Sequence, residues 1–267
     1  MDLSEIVDLD RYPVHDPVRR AGLVDDAAAQ LRTRSVAVLP GFVRPTALAQ
    51  MAQDCDELLP LAHRSESVAS PYLSAPDTTQ PPGHPRARRQ QSQVETVAYD
   101  LVPVGAPVRE LYESDALLGF LAAVLGVRSL YRYADPFGAL NLSTMHAGDE
   151  LAWHFDQTDF VTSLAVAAPE AGGDFEVAAR VRTPDDERYD EVAAVLDGDR
   201  AAVTRVAFEP GSLMLFAGRH SLHRVTTVEG TRARHVALLA YDTRDGTDST
   251  DELKLARYGR LPGGTHP

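Results

Sequence analysis

The chain is short of cysteine, of basic residues and of long apolar runs, and each shortage excludes something. A single cysteine, Cys55, leaves no partner for an intrachain disulfide and no set of thiolates for a zinc site. It falls in a stretch with helical spacing and is expected to be a small, buried or half-buried residue. Basic residues number 26 against 39 acidic ones, a formal balance of −13. Such a charge argues against a nucleic-acid groove or an anionic membrane surface as the main partner. No apolar run approaches the roughly 20 residues that span a bilayer. The N-terminus, MDLSEIVDLDRYPVHDPVRR, lacks a basic region followed by an apolar one. A cytoplasmic location and a small-molecule substrate are the resulting expectations.

Among 267 residues, 44% are apolar, enough for one sizeable core. There is no internal repeat and no composition break that would split the chain, so a single domain over 1–267 is expected. Its N-terminal part, about 1–127, reads as largely helical. Residues 25–34 and the run after Pro45 have helical spacing, SVAVLPGFV (35–43) reads as a strand between them, and LYESDALLGFLAAVLG (111–126) reads as one amphipathic helix ending at Gly126. Residues 65–93 carry Ser, Pro, Gln, Gly and Arg without periodicity and read as a long loop, and QVETVAYDLVP (93–103) alternates like a strand. From about 128 to 245 the pattern becomes eight short strands separated by turns, interrupted by a charged helix-like insertion at 183–200. The expected fold is mainly β with flanking helices: a sandwich or barrel carrying an N-terminal helical layer.

The chemistry concentrates in two segments. In ELAWHFDQTDF, His154 and Asp156 are two apart on a predicted strand, so imidazole and carboxylate project from the same face. A carboxylate turned inward among apolar residues needs compensation, and a divalent metal provides it. Trp153 alternates with His154 and is expected to point away, into the core. The second segment, EPGSLMLFAGRHSLHRVTTVEGTRARHVALLAYD, offers a distal histidine. His223 is favoured over His220 and His235 because it opens a short His-Arg-Val segment. Two histidines and one carboxylate on one side of a metal leave three positions open, as an oxygen-activating ferrous site requires. An arginine on the strand after the distal histidine suits the far carboxylate of a chelating 2-oxo acid. Arg232 and Arg234 are both candidates and share a strand face.

WHFD, GGDFE, PGSLMLF, HSLHRV and GTRAR, in this order, resemble the Fe(II)/2-oxoglutarate-dependent dioxygenases with a double-stranded β-helix core. The resemblance covers residues 35–45 and most of 95–245. It is nearest to a bacterial group that holds amino-acid hydroxylases and lysine-type amino-acid halogenases. It implies a jelly-roll, cupin-like core and the cofactor set Fe(II), 2-oxoglutarate and O2, with His154, Asp156 and His223 as metal ligands. Arg232 ranks first as the 2-oxoglutarate clamp because its offset of nine from His223 matches many members. Arg234 ranks second, and Asn141 is a further candidate for holding the co-substrate.

Halogenases of that group carry Gly in place of the carboxylate ligand, which frees a position for chloride. Asp156 therefore points to hydroxylation of an unactivated C–H, on a small polar metabolite such as a free amino acid. Desaturation remains open on the ligands alone. The rivals are a same-fold halogenase and a non-enzymatic, cupin-like metal-binding module. Arg86 and Arg88 in the basic stretch HPRARRQ, with Gln157 and Asp159 after the metal motif, are the candidate substrate contacts.

Overall fold

The computed structural model describes residues 1–263. The chain begins with helices α1 (Leu3–Ile6) and α2 (Ala21–Arg34), then strand β1 (Val36–Leu39) and helix α3 (Pro45–Leu58). Strands β2 (His63–Ala69) and β3 (Gln90–Val97) follow, then helices α4 (Pro107–Glu113) and α5 (Asp115–Leu125). The strand-rich part runs through β4 (Tyr131–Arg132), β5 (Leu140–Met145), β6 (Leu151–His154), β7 (Val161–Ala167), β8 (Ala171–Gly172) and β9 (Phe175–Ala178). After helix α6 (Tyr189–Leu196) come β10 (Val203–Val206), β11 (Leu213–Phe216), β12 (Leu222–Val225), β13 (Val228–Glu229), β14 (Arg234–Leu239) and β15 (Tyr241–Asp242). Helix α7 (Asp251–Tyr258) closes the described part.

One large antiparallel sheet runs in the order β1-β11-β7-β14-β5-β3-β6-β12-β9-β10. It curls on itself. Strand β3 pairs with β5 through Glu95–Val97 and meets β6 at Ser92, so it joins a broad face to a narrower one of β6, β12, β9 and β10. This is a double-stranded β-helix (jelly-roll) core.

Three apolar clusters follow from the period-2 alternation of its strands. Leu140 and Leu142 on β5, Leu164 and Val166 on β7, and Ala237 and Leu239 on β14 turn outward against α2–α5. Met145, Met214, Phe216, Phe175, Val177 and Val225 turn inward and fill the space between the two faces. Trp153, Phe155 and Leu222 turn outward from the narrow face and are covered by Tyr72, Val192 and Val195. Trp153 thus sits in a core cluster, on the opposite side of its strand from His154.

Three readings of the N-terminal part change. Part of the expected loop at 65–93 is β2, which pairs along its whole length with β3, from His63 opposite Thr96 to Ala69 opposite Gln90. Its polar sequence, HRSESVA, has no apolar alternation, and main-chain pairing alone makes it a strand. The single helix expected over 111–126 is two. Ser114 is extended (φ −67, ψ 121) and its side chain accepts from the Leu117 amide, so it ends α4 and caps α5. The strand expected over 93–103 runs instead from Gln90 to Val97 and is followed by a short 3-10 turn at Tyr99–Leu101, while β1 falls within the strand expected at 35–43. The last helix, α7, carries no expectation from the sequence.

Cys55 lies on the inward face of α3, 2% exposed within the outer core. Burial, with the charges of Asp54 and Asp56 beside it, pushes its thiol up to about 12. The native protein is therefore expected to resist labelling by a disulfide reagent such as Ellman's at neutral pH and to label fully in denaturant. Prompt labelling of the folded protein would show that α3 does not pack as described.

Candidate metal centre and its surroundings

β6 and β12 are antiparallel neighbours, and their register sets His223 opposite His154. The two imidazole rings stand 4.1 Å apart between centroids. Asp156 lies just beyond the end of β6, where the chain leaves the sheet and the Asp156 amide donates to the Gly218 carbonyl. Asp156 Oδ1 is 3.9 Å from His154 Nε2 and 3.5 Å from His223 Nε2. One donor atom from each residue lies within 4.8 Å of the others, a spacing that admits one metal ion among them.

The protonation pattern suits a metal. His154 Nδ1 is 2.7 Å from the Ala152 carbonyl and His223 Nδ1 is 3.0 Å from the Ser221 carbonyl, in both cases the oxygen two residues earlier. A carbonyl only accepts, so each Nδ1 carries the proton and each Nε2 presents a lone pair to the centre. Burial drives His154 down to about 4, so its ring is neutral at ordinary pH. Asp156 feels burial pushing it up, but His223 and His154 beside it hold its carboxyl below the usual carboxylate value. Its Oδ2 is buried and has no hydrogen-bond partner among the described residues. That oxygen faces Gly218, while Oδ1 is turned to the two Nε2 atoms, and an anionic oxygen with two nitrogen lone pairs converging on one point is costly unless a cation completes the set. The site therefore fits a divalent metal of the kind that takes two imidazoles and one carboxylate.

Behind the carboxylate is Gly218. A Cβ at that position would lie 1.7 Å from Asp156 Oδ2 and 2.5 Å from its Cγ. No local pattern marks Gly218, because the approach of residues 62 apart is a tertiary fact. His220 and His235 stay outside the centre. The His220 carbonyl accepts from the Arg182 amide, and His235 lies on the outer face, between Thr144 Oγ1 (2.9 Å) and Asp56 Oδ1 (3.2 Å).

The two candidate clamp arginines separate sharply. Arg232, ranked first from its offset, is exposed and donates to the Pro169 carbonyl at 3.2 Å. It lies at the surface end of the turn and does not enter the space between the sheet faces. Arg234 is 9% exposed. Its Nε donates to the Gly173 carbonyl at 3.1 Å, and the other nearby acceptor is the weak Met145 sulfur at 3.9 Å. Burial lowers this guanidinium to about 10, only partly offset by the charge of Asp174. A buried guanidinium with no carboxylate bonded to it presents open donors to an anion.

Arg234 lines a cleft of about 530 Å³ together with Ala165, Ala167, Phe175 and Val236. Small side chains on β7 keep this side open. Phe175 also stands 5.6 Å from the His223 ring, so it separates the cleft from the metal centre by the width of one side chain.

Asn141 does not take the role expected of it. Its amide nitrogen donates to the Phe137 and Leu140 carbonyls at 2.7 and 2.9 Å, and its oxygen accepts from Tyr258 at 2.9 Å. It anchors α7 to β5. The four expected substrate contacts are engaged with protein groups as well. Arg86 donates to Tyr189 Oη at 2.7 Å, approaches Glu187 at 3.6 Å and stacks on Tyr72. Arg88 pairs with Asp197 and donates to the Gly83 carbonyl. Together they strap the 70–90 segment to the α6 insertion. Gln157 donates to the Tyr72 carbonyl at 3.0 Å, and Asp159 pairs with Arg219 at the rim.

Gly218→Ala is expected to fold but to displace Asp156, weakening binding of Fe(II), or of Co(II) as a spectroscopic stand-in, by at least tenfold in a metal titration. Unchanged affinity would mean that the carboxylate is not held where the structure puts it.

A family model described as HalD, Halogenase D, matches residues 20–255 of the chain. No curated protein matches it by sequence. Solved structures share its fold at low identity. A 2OG-Fe(II) oxygenase-family oxidoreductase from Burkholderia pseudomallei is 17% identical with a TM-score of 0.53, covering 84% of this chain and 92% of its own. The α-ketoglutarate-dependent epimerase SnoN from nogalamycin biosynthesis is 12% identical with a TM-score of 0.56, covering 82% and 80%. A prolyl hydroxylase from Trichoplax adhaerens is 13% identical with a TM-score of 0.54, covering 84% and 90%. The chain belongs to the Halogenase D family and has the fold of Fe(II)/2-oxoglutarate-dependent oxygenases.

Proposed function

We propose that this chain is a 2-oxoglutarate-dependent hydroxylase acting on an unactivated C–H of a small polar metabolite, a free amino acid or close derivative first. The observation that carries the reading is Asp156. A halogenating site of this family type needs a vacant position for chloride, and here a carboxylate occupies it, with Oδ2 pressed against Gly218 and Oδ1 turned to the Nε2 atoms of His154 and His223. The family name favours halogenation as the second reading. The related folds include a hydroxylase, an epimerase and a carbocyclase, so fold alone does not select the outcome.

In this reading His154, Asp156 and His223 hold Fe(II), and Arg234 takes the far carboxylate of 2-oxoglutarate. Bound together with O2, the iron and the 2-oxo acid supply the oxidising chemistry, and the protein's part is to bind and orient. The carbonyls of Ala152 and Ser221 keep each imidazole in the tautomer that donates through Nε2. Phe175, Phe216 and Val225 keep the inner wall dry around His223. Arg232 is not part of this machinery, because it is exposed and turned to the Pro169 carbonyl.

Three measurements test the reading. Mixed anaerobically with Fe(II) and 2-oxoglutarate, the protein should give the weak visible charge-transfer band of the chelate, and His154→Ala or His223→Ala should abolish it. No band, and no succinate under air, would leave a metal-binding module without oxygenase activity. Loss of a charge-assisted pair at Arg234 is worth roughly 1.5–3 kcal/mol. Arg234→Gln should therefore raise the KM for 2-oxoglutarate by about ten- to a hundredfold, while Arg232→Gln should leave it within about twofold. The reverse ranking would return the clamp to Arg232. Finally, turnover in excess chloride should give a product heavier by one oxygen and no chlorinated product; a chlorinated product would overturn the role given to Asp156.

A further inference from the structure

The loop between β11 and β12 touches two of the three candidate ligands. The Gly218 carbonyl accepts from the Asp156 amide at 3.2 Å, and Gly218 has no room for a Cβ beside the Asp156 carboxylate. The Ser221 carbonyl is 3.0 Å from His223 Nδ1 and so fixes the tautomer of that ring. Residues 218–221 lie outside any strand, so no ladder holds them.

The segment that follows β9 holds them instead. Arg180 has a left-handed backbone (φ 51), and its amide donates to Ser221 Oγ at 3.2 Å. The Arg182 amide donates to the His220 carbonyl at 3.4 Å. The Arg182 side chain then donates twice to the Arg219 carbonyl, from Nε at 2.9 Å and from Nη2 at 2.6 Å. The same guanidinium reaches the other chain at the centre. Its carbon lies over the ring of Phe155, the residue before Asp156, at 4.0 Å from the centroid, and 5.4 Å from that of Tyr72. Phe155 is fully buried, and its amide donates to the Pro71 carbonyl at 2.8 Å. The remaining nitrogen, Nη1, pairs with Glu187 at 2.9 Å. Arg182 thus spans the two chain segments that meet at Asp156 and Gly218. It covers an aromatic ring on one and hydrogen-bonds the backbone of the other.

We propose that Arg182 is a positioning residue for the metal centre: it locks the 218–221 loop against the end of β6, so that Asp156 and His223 meet the metal in a fixed geometry. This rests on the metal centre described above and not on which oxidation the protein performs. The residue type matters. A planar fork can donate twice to one carbonyl while its face lies on an aromatic ring, whereas an ammonium is a compact point charge. Metal ligands are aimed by the groups behind them, and losing such a partner costs roughly ten- to a hundredfold in metal affinity. Arg182 acts through a backbone loop rather than on a ligand directly, so the lower end of that range is expected. A brace for the α6 insertion would need only the Glu187 pair; the two bonds to the Arg219 carbonyl serve the loop.

The test uses the full chain freed of metal and titrated anaerobically with Co(II), read by its visible absorption, with thermal melting of the metal-free protein alongside. Arg182→Gln should bind Co(II) roughly tenfold more weakly than the wild-type protein. Its visible bands should also be displaced, because the donor geometry sets them. Arg182→Lys should fall between the two. Glu187→Gln removes the ion pair but leaves both bonds to the Arg219 carbonyl. It should keep wild-type affinity and bands, whatever its melting temperature. Wild-type affinity and bands in Arg182→Gln would overturn the proposal. So would a loss in Glu187→Gln as large as in Arg182→Gln, which would make Arg182 a brace for the insertion alone. If Arg182→Gln does not fold, the lysine variant decides, and wild-type affinity and bands there would equally overturn it. Failure of both Arg182 variants to fold, with Glu187→Gln folded, would mark the residue as structural and end the proposal. No Co(II) binding by the wild-type protein would instead sink the metal centre itself, and this inference with it.

Discussion

Everything at the centre depends on the pairing between β6 and β12, because it sets His223 opposite His154. Register in a sheet is all or nothing: a slip of one residue turns every side chain to the other face. The slip is resisted from both sides of the narrow face. Trp153, Phe155 and Leu222 must stay in the outer cluster under Tyr72, Val192 and Val195, and Val225, Val177 and Phe175 must stay between the sheets. The apolar burial that stabilises the fold is thus the same force that brings two imidazoles, far apart in the chain, to ring contact. The α6 insertion and the 70–90 segment, strapped together by Arg86, Arg88, Arg182 and Tyr189, supply the outer half of that clamp.

A second constraint acts on the carboxylate. Asp156 sits beyond the last ladder position of β6, so strand geometry alone does not aim it. Its amide is held by the Gly218 carbonyl, and its side chain fills the space that the missing Cβ of Gly218 leaves. The result is a buried carboxylate whose Oδ2 has no donor and whose Oδ1 faces the Nε2 atoms of both histidines. Such an arrangement is unfavourable in an apoprotein and favourable around a cation. At the opposite wall of the interior the same logic recurs with the sign reversed. Arg234 is buried without a carboxylate, beside a cleft kept open by Ala165 and Ala167. An anionic co-substrate that chelates a metal at one end and carries a carboxylate at the other answers both imbalances at once.

Arg232 and Arg234 show why sequence spacing could not choose between them. Both fall on one strand face by parity, and an offset from His223 favours Arg232. The turn after β13 is tied by Glu170, which accepts from both the backbone and the hydroxyl of Thr231. That places Arg232 at the surface end and starts the ladder at Arg234, opposite Met145. Asn141 misled for a similar reason. Its place on a strand leading to the metal motif was legible, but its partner Tyr258 lies on a helix more than a hundred residues later. Arg86 and Arg88 look free in a basic stretch, yet the acidic insertion that neutralises them lies equally far along the chain.

By itself the sequence determined what depends on local pattern. Alternation marked the core strands, HxD put an imidazole and a carboxylate on one side of the chain, and the order of motifs named the superfamily. These are legible because period, side-chain direction and ligand chemistry are properties of neighbouring residues. The strand character of β2, the approach of Gly218 to Asp156 and the burial of Arg234 over Arg232 were decided only by tertiary structure. Each is a meeting of groups distant in the chain, where packing and main-chain pairing, rather than local preference, set the outcome.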